Sequence, residues 1–174
     1  MQLKILKIVA IIWVAFLAEG TLTVWILPSQ WDIAHHWTYV LILMVALYQH
    51  RYFAIALACF FGFLHDVLYY GHMLGTYTFA MAIGTYFIGW FANKKNVTFY
   101  FRNYLLMVAG IIFITIFLFF LYKLFQVHHL PFYWAVGHYI LPTVIYNALF
   151  AAVIMVPFRN LLGPFQQPQE NTDK

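Results

Sequence analysis

The chain has 174 residues, of which 65% are hydrophobic, 22% aromatic and only 8% charged, too few charged groups to coat a soluble domain of this size. This is the composition of a polytopic membrane protein. The formal net charge of +4 and pI near 9.2 come from nine basic residues scattered between apolar runs, so no basic stripe forms and no nucleic-acid interface is expected. The single cysteine, Cys59, excludes an internal disulfide or a thiolate metal cluster and reads as a small core residue.

In chain order, apolar runs with aromatic or polar ends predict six membrane spans: Ile5 to Leu27, Ile33 to Gln49, Tyr52 to Tyr70, Gly75 to Phe91, Tyr104 to Phe125 and His138 to Phe158. At about 1.5 Å per residue, most cover a hydrocarbon core of roughly 30 Å. The second and fourth are short, and a tilted or re-entrant path is an alternative for the second, which starts at His35 and His36. The first run outlasts the apolar stretch of a secretory signal, so it reads as a span. The domain prediction is one six-helix transmembrane unit over 1–163, followed by a polar, disordered tail over 164–174.

Charge placement supports this layout. With the N-terminus inside, Lys4, Lys7, Arg51, Lys94, Lys95, Arg102, Arg159 and Lys174 face the cytoplasm, and only Lys123 lies outside. Both termini are therefore expected in the cytoplasm, with Trp25, Trp31 and Trp37 in one interfacial belt and Trp90, Tyr100 and Tyr104 in the other.

Two acids interrupt the apolar runs. Asp66 heads a stripe of small residues at four-residue steps, Gly62, Ala58 and Ala54, and Glu19 has Ala15 and Thr23 on its face. Each lies 14 residues into its span, about 21 Å from the cytoplasmic end. A carboxylate at that depth costs roughly 2.5–3.5 kcal/mol on insertion scales and needs a partner or a function. The favoured reading is a protonated carboxyl bonded to Asn147, a histidine or a backbone carbonyl, holding helices together. It expects Asp66→Asn to be tolerated far better than Asp66→Leu. Proton or ion handling and contact with another membrane protein are the alternatives.

The doublets His35-His36 and His128-His129 invite a metal, but neighbours on a helix point about 100 degrees apart, so no metal is expected. No zinc-protease, nucleophile-elbow or Walker signature is present. The spacing Gly71-x-x-x-Gly75 lacks the ending that a phosphate loop needs and reads as a tight turn into the fourth helix. Thr76, Ala80 and Gly84 continue it as a second packing stripe. No enzyme activity and no cofactor are expected.

The stretch Gly62-Phe-Leu-His-Asp66-Val-Leu-Tyr-Tyr-Gly71-His-Met-Leu-Gly75 resembles the Gly-x-x-x-Asp, Gly-x-x-Leu-Gly segment of the bacterial rod shape-determining MreD family. Length, the span pattern, Pro28 and Arg51 also fit that family over nearly the whole chain, whereas His65 stands where an aliphatic residue is typical. No proline precedes the second span, a further departure from the family pattern. The resemblance implies a non-enzymatic component of the cell-elongation machinery that binds MreC and, directly or through it, MreB, RodA and its transpeptidase partner. The fold it implies is similar to the substrate-binding subunits of energy-coupling-factor vitamin transporters. The second function reading follows from that likeness: a subunit that captures a small molecule such as a vitamin in an outward pocket. On this basis Glu19, Gly62, Asp66, Gly71, Gly75 and Asn147 are the candidate structural or partner-binding residues.

Overall fold

The computed structural model describes residues 2–26, 33–69, 73–92, 100–127 and 129–162, and across them the regular structure is entirely helical. In order these are α1 (Gln2–Ile26), α2 (Trp37–Tyr48), α3 (Arg51–Leu68), α4 (Thr76–Ala92), α5 (Tyr100–Leu124), α6 (Phe132–Ala135), a π-helical turn (Val136–Ile140) and α7 (Leu141–Leu162). Three segments, Arg51–Leu68, Tyr100–Leu124 and Phe132–Phe158, are long and apolar enough to cross a membrane, and α2 is a shorter apolar helix. Pro28, Asp32, Gly71, His72, the Lys94-Lys95 pair, His128 and the tail lie outside the described residues.

Helix α2 is the hub. Its sequence, Val40-Leu-Ile-Leu-Met-Val-Ala-Leu47, is apolar all round, and every residue from Thr38 to Tyr48 is buried. A helix without a polar face is stable only inside other protein or lipid, and here α1, α3, α4, α5 and α7 all pack against it. At 12 residues it is about 18 Å long, too short for a bilayer core by itself. The predicted second span began at residue 33, but residues 33–36 are not helical and α2 starts only at Trp37.

Helix α3 is two-faced. Ala54, Leu57, Ala58, Phe61, Gly62, His65 and Asp66 recur at three- and four-residue steps and are buried, while Tyr52, Phe60, Phe63 and Val67 point outward. The predicted small stripe is thus the packed face. Cys59 corrects an expectation: it is exposed on the outer face beside Phe60 rather than in the core. It follows the buried Ala58 by one 100-degree step, which turns it away from the stripe.

Helices α6 and α7 run on through the π turn, so this helical stretch begins at Phe132, six residues before the predicted start. Pro142 has no N–H to return to the carbonyl of residue 138, and the wider turn lies over those positions. The perimeter is apolar, with Leu6, Val14, Phe63, Phe79, Phe101, Leu149 and Val153 all more than half exposed. That is the surface lipid requires.

Candidate functional site

The polar side chains gather where α2 and α4 begin, and each start is capped by an acid from the preceding helix. The first backbone N–H groups of any helix lack partners inside it and carry the positive end of its dipole. Away from water they must be satisfied by protein.

Asp66 does this for α4. Its Oδ1 accepts from the Tyr77 N–H at 2.9 Å and the Thr76 hydroxyl at 3.2 Å, and its Oδ2 from the Thr78 N–H at 3.0 Å and the Thr78 hydroxyl at 2.7 Å. Asp66 is wholly buried; the Tyr77 and Thr78 N–H groups donate to it, and the Thr76 hydroxyl is shared with the Met73 carbonyl at 3.2 Å. Both oxygens thus serve the start of α4. These partners differ from the expected Asn147, histidine or backbone carbonyl. In Asp66→Asn an amide nitrogen would face one of the two backbone N–H groups.

Gly62 and Gly75 complete the cap. One turn before Asp66, a Cβ on Gly62 would lie 2.6 Å from the Thr78 Cα and 3.0 Å from its nitrogen, so only glycine lets α4 start so close to α3. Gly75 has φ +99° and nothing within 4 Å of a built Cβ. Its requirement is the left-handed backbone, not space. The turn expected there is present at Gly75, while Gly71 lies outside the described residues.

Glu19 does the same for α2. Its Oε2 accepts from the Thr38 N–H at 3.1 Å and the Thr38 hydroxyl at 2.6 Å, and His65 Nε2 lies 3.6 Å from the same oxygen. The predicted common depth of the two acids is visible here: His65 on the Glu19 carboxylate and Asp66 are adjacent on α3. His65 also stacks on Tyr77, centroids 5.0 Å apart and planes within 9°.

Asn147 on α7 works on the chain entering α2. Its Oδ1 accepts from the His36 N–H and its Nδ2 donates to the carbonyls of Ala34 and Thr143, each at 2.8 Å. The Thr143 hydroxyl accepts from the Ala34 N–H at 3.1 Å. Non-helical backbone among apolar helices is tolerated only where protein satisfies it, and α7 supplies that here.

His138, the predicted start of the sixth span, is exposed and stacked on Trp134 with centroids 4.5 Å apart. Among the described residues no group of three or more His, Cys, Asp or Glu side chains can hold a metal ion. Sequence reasoning missed Thr38, Thr78 and Thr143 and gave Thr76 only a packing role. Threonines just inside a predicted helix start were the available signal, because hydroxyl and backbone N–H together suit one carboxylate.

A family model described as rod shape-determining protein MreD matches residues 2–164. Comparison with curated proteins and with solved structures gives no match.

Proposed function

We infer the function from one premise: the chain belongs to the family of rod shape-determining protein MreD. The family's role is the determination of rod shape. Within that role the chain is a non-enzymatic multi-pass scaffold of the cell-elongation machinery, a single six-helix transmembrane domain over 1–163 with both termini in the cytoplasm. It binds MreC and, directly or through it, MreB, RodA and its transpeptidase partner, and so helps organise peptidoglycan synthesis.

One observation supports a scaffold over a ligand-capturing subunit. Both buried acids bond the backbone of the next helix, so the positive helix ends that broken-helix transporters present to an anionic substrate already carry the chain's own carboxylates. In this reading the fold is similar to that of the vitamin-binding subunits, as the sequence resemblance implies, with the polar centre used for holding helices.

Depletion followed by microscopy tests the reading, and round or swollen cells are the expected outcome. Affinity capture from native membranes with mass spectrometry is expected to recover MreC and no stoichiometric small molecule. Normal rods accompanied by a vitamin-uptake defect would overturn it.

A further inference from the structure

The backbone of His36, where the chain enters α2, is fully engaged. Its N–H donates to Asn147 Oδ1 at 2.8 Å, and its carbonyl accepts from the Val40 N–H at 2.9 Å. The ring is different: Nδ1 and Nε2 are both buried, and neither has a hydrogen-bond partner among the described residues. The residue as a whole is 0% exposed. Buried polar groups are normally paired, and each exception calls for a physical account.

The surroundings narrow that account. The His36 ring lies 6.1 Å from that of Tyr77 on α4, and Tyr77 stacks on His65, whose Nε2 faces Glu19. Glu19 and His65 lie close enough to act on the His36 ring electrostatically. The ring therefore borders the polar centre, but the bonds of the two acids go elsewhere: Asp66 serves the start of α4 and Glu19 serves Thr38. No choice of tautomer removes the demand, because a neutral imidazole always presents one donor and one acceptor, and a protonated one presents two donors. The face of Tyr77 is at best a weak acceptor for one N–H and donates nothing to the other nitrogen. A metal ion does not fit, since no group of three or more His, Cys, Asp or Glu side chains gathers among the described residues. What fits is a molecule that both donates and accepts and is small enough for a fully enclosed position beside other polar groups. Water has those properties.

We propose that the His36 ring anchors an internal water site between the entry to α2 and the start of α4, with water donating to the bare ring nitrogen and accepting from the N–H of the other. Direct bonds join α1 to α2 through Glu19 and α3 to α4 through Asp66. At His36 the corresponding joint, from α2 to α4, is made through water. This goes beyond the scaffold reading and does not depend on which proteins are bound.

The test uses the purified full-length protein in lipid nanodiscs, given a brief X-ray pulse that makes hydroxyl radicals from water in place and read residue by residue by mass spectrometry. Tyr77, 1% exposed, is expected to be oxidised by radicals formed beside it. Met81, one turn further along α4 and 0% exposed, is expected to stay unmodified although its thioether is readily oxidised. His36→Leu is expected to lower oxidation of Tyr77 at least about threefold, because the polar anchor that retains water is gone. Tyr133, 80% exposed, should be oxidised equally in both proteins and so reports an equal dose. Unmodified Tyr77 in the wild type would overturn the proposal. So would equal oxidation of Met81, which would mean that radicals enter by opening of α4, and so would unchanged oxidation of Tyr77 in His36→Leu. The wild-type comparison of Tyr77 with Met81 decides the matter even where His36→Leu does not accumulate.

Discussion

Asp66 accepts two backbone and two hydroxyl hydrogen bonds with both oxygens, and hydrogen bonds to a charged acceptor contribute more than neutral ones. Asp66→Asn keeps one oxygen and turns an amide donor toward the other donor pair. It is expected to cost about 1.5–3 kcal/mol, read as a lower unfolding midpoint and lower abundance, with Asp66→Leu worse still. Wild-type stability of Asp66→Asn would refute the cap as described. At Gly62 the cause is steric instead. A Cβ there meets backbone, not a movable side chain, so Gly62→Leu is expected to cost at least the roughly 1–3 kcal/mol of ordinary overpacking. Suppressor selection should find no relief at residue 78, because the clash involves atoms that every residue possesses.

Helix starts explain why two of the predicted spans are short. Helices α2 and α4, at 12 and 17 residues, begin inside the bundle, where the preceding helix supplies an acid in place of water. Thr38→Val removes one of the bonds to Glu19 and keeps the backbone one, so it is expected to lower stability by about 1 kcal/mol, and Glu19→Leu by considerably more. Unfolding of the variants in matched detergent measures the difference. Helix packing provides a second prediction at this scale. A methyl at Gly84 collides with the Tyr39 hydroxyl, whereas the Phe113 Cδ1 at 3.1 Å and the Tyr39 ring carbon at 3.3 Å are tight contacts that a side chain can relieve by a few tenths of an ångström. Gly84→Ala is therefore expected to destabilise the protein, and Tyr39→Phe to restore most of the loss. A double-mutant cycle that came out additive would show that the two residues do not meet.

At the scale of the whole molecule, the hub has no tolerance for charge. Leu43 is 0% exposed on α2 and touches the backbone position of Gly110 on α5. Leu43→Lys buries an unpaired cation and is expected to abolish accumulation of the protein, an effect measured by quantitative blotting. Orientation is tested separately by cysteine accessibility. A cysteine at position 95 is expected to resist an impermeant reagent in intact cells, and labelling there would refute the layout in which Arg51 and both termini share the cytoplasmic side.

Composition and periodicity alone determined the class of molecule, the approximate helix positions, the small face of α3 and the turn at Gly75. These are local properties: apolar runs, a four-residue repeat, a residue whose backbone tolerates positive φ. Even the shared depth of Glu19 and Asp66 followed from helical rise. What each acid bonds to was decided only by the tertiary structure. A carboxyl in an apolar helix needs some partner, but the candidates lie on other helices. Only packing shows that Asp66 reaches Thr76 to Thr78, that Glu19 reaches Thr38, and that Asn147 grips the chain at Ala34 and His36. Cys59 faced outward for a related reason: hydrophobicity marks a residue as able to leave water, and in a protein ringed by apolar side chains the fold alone determines whether it meets the core or lipid.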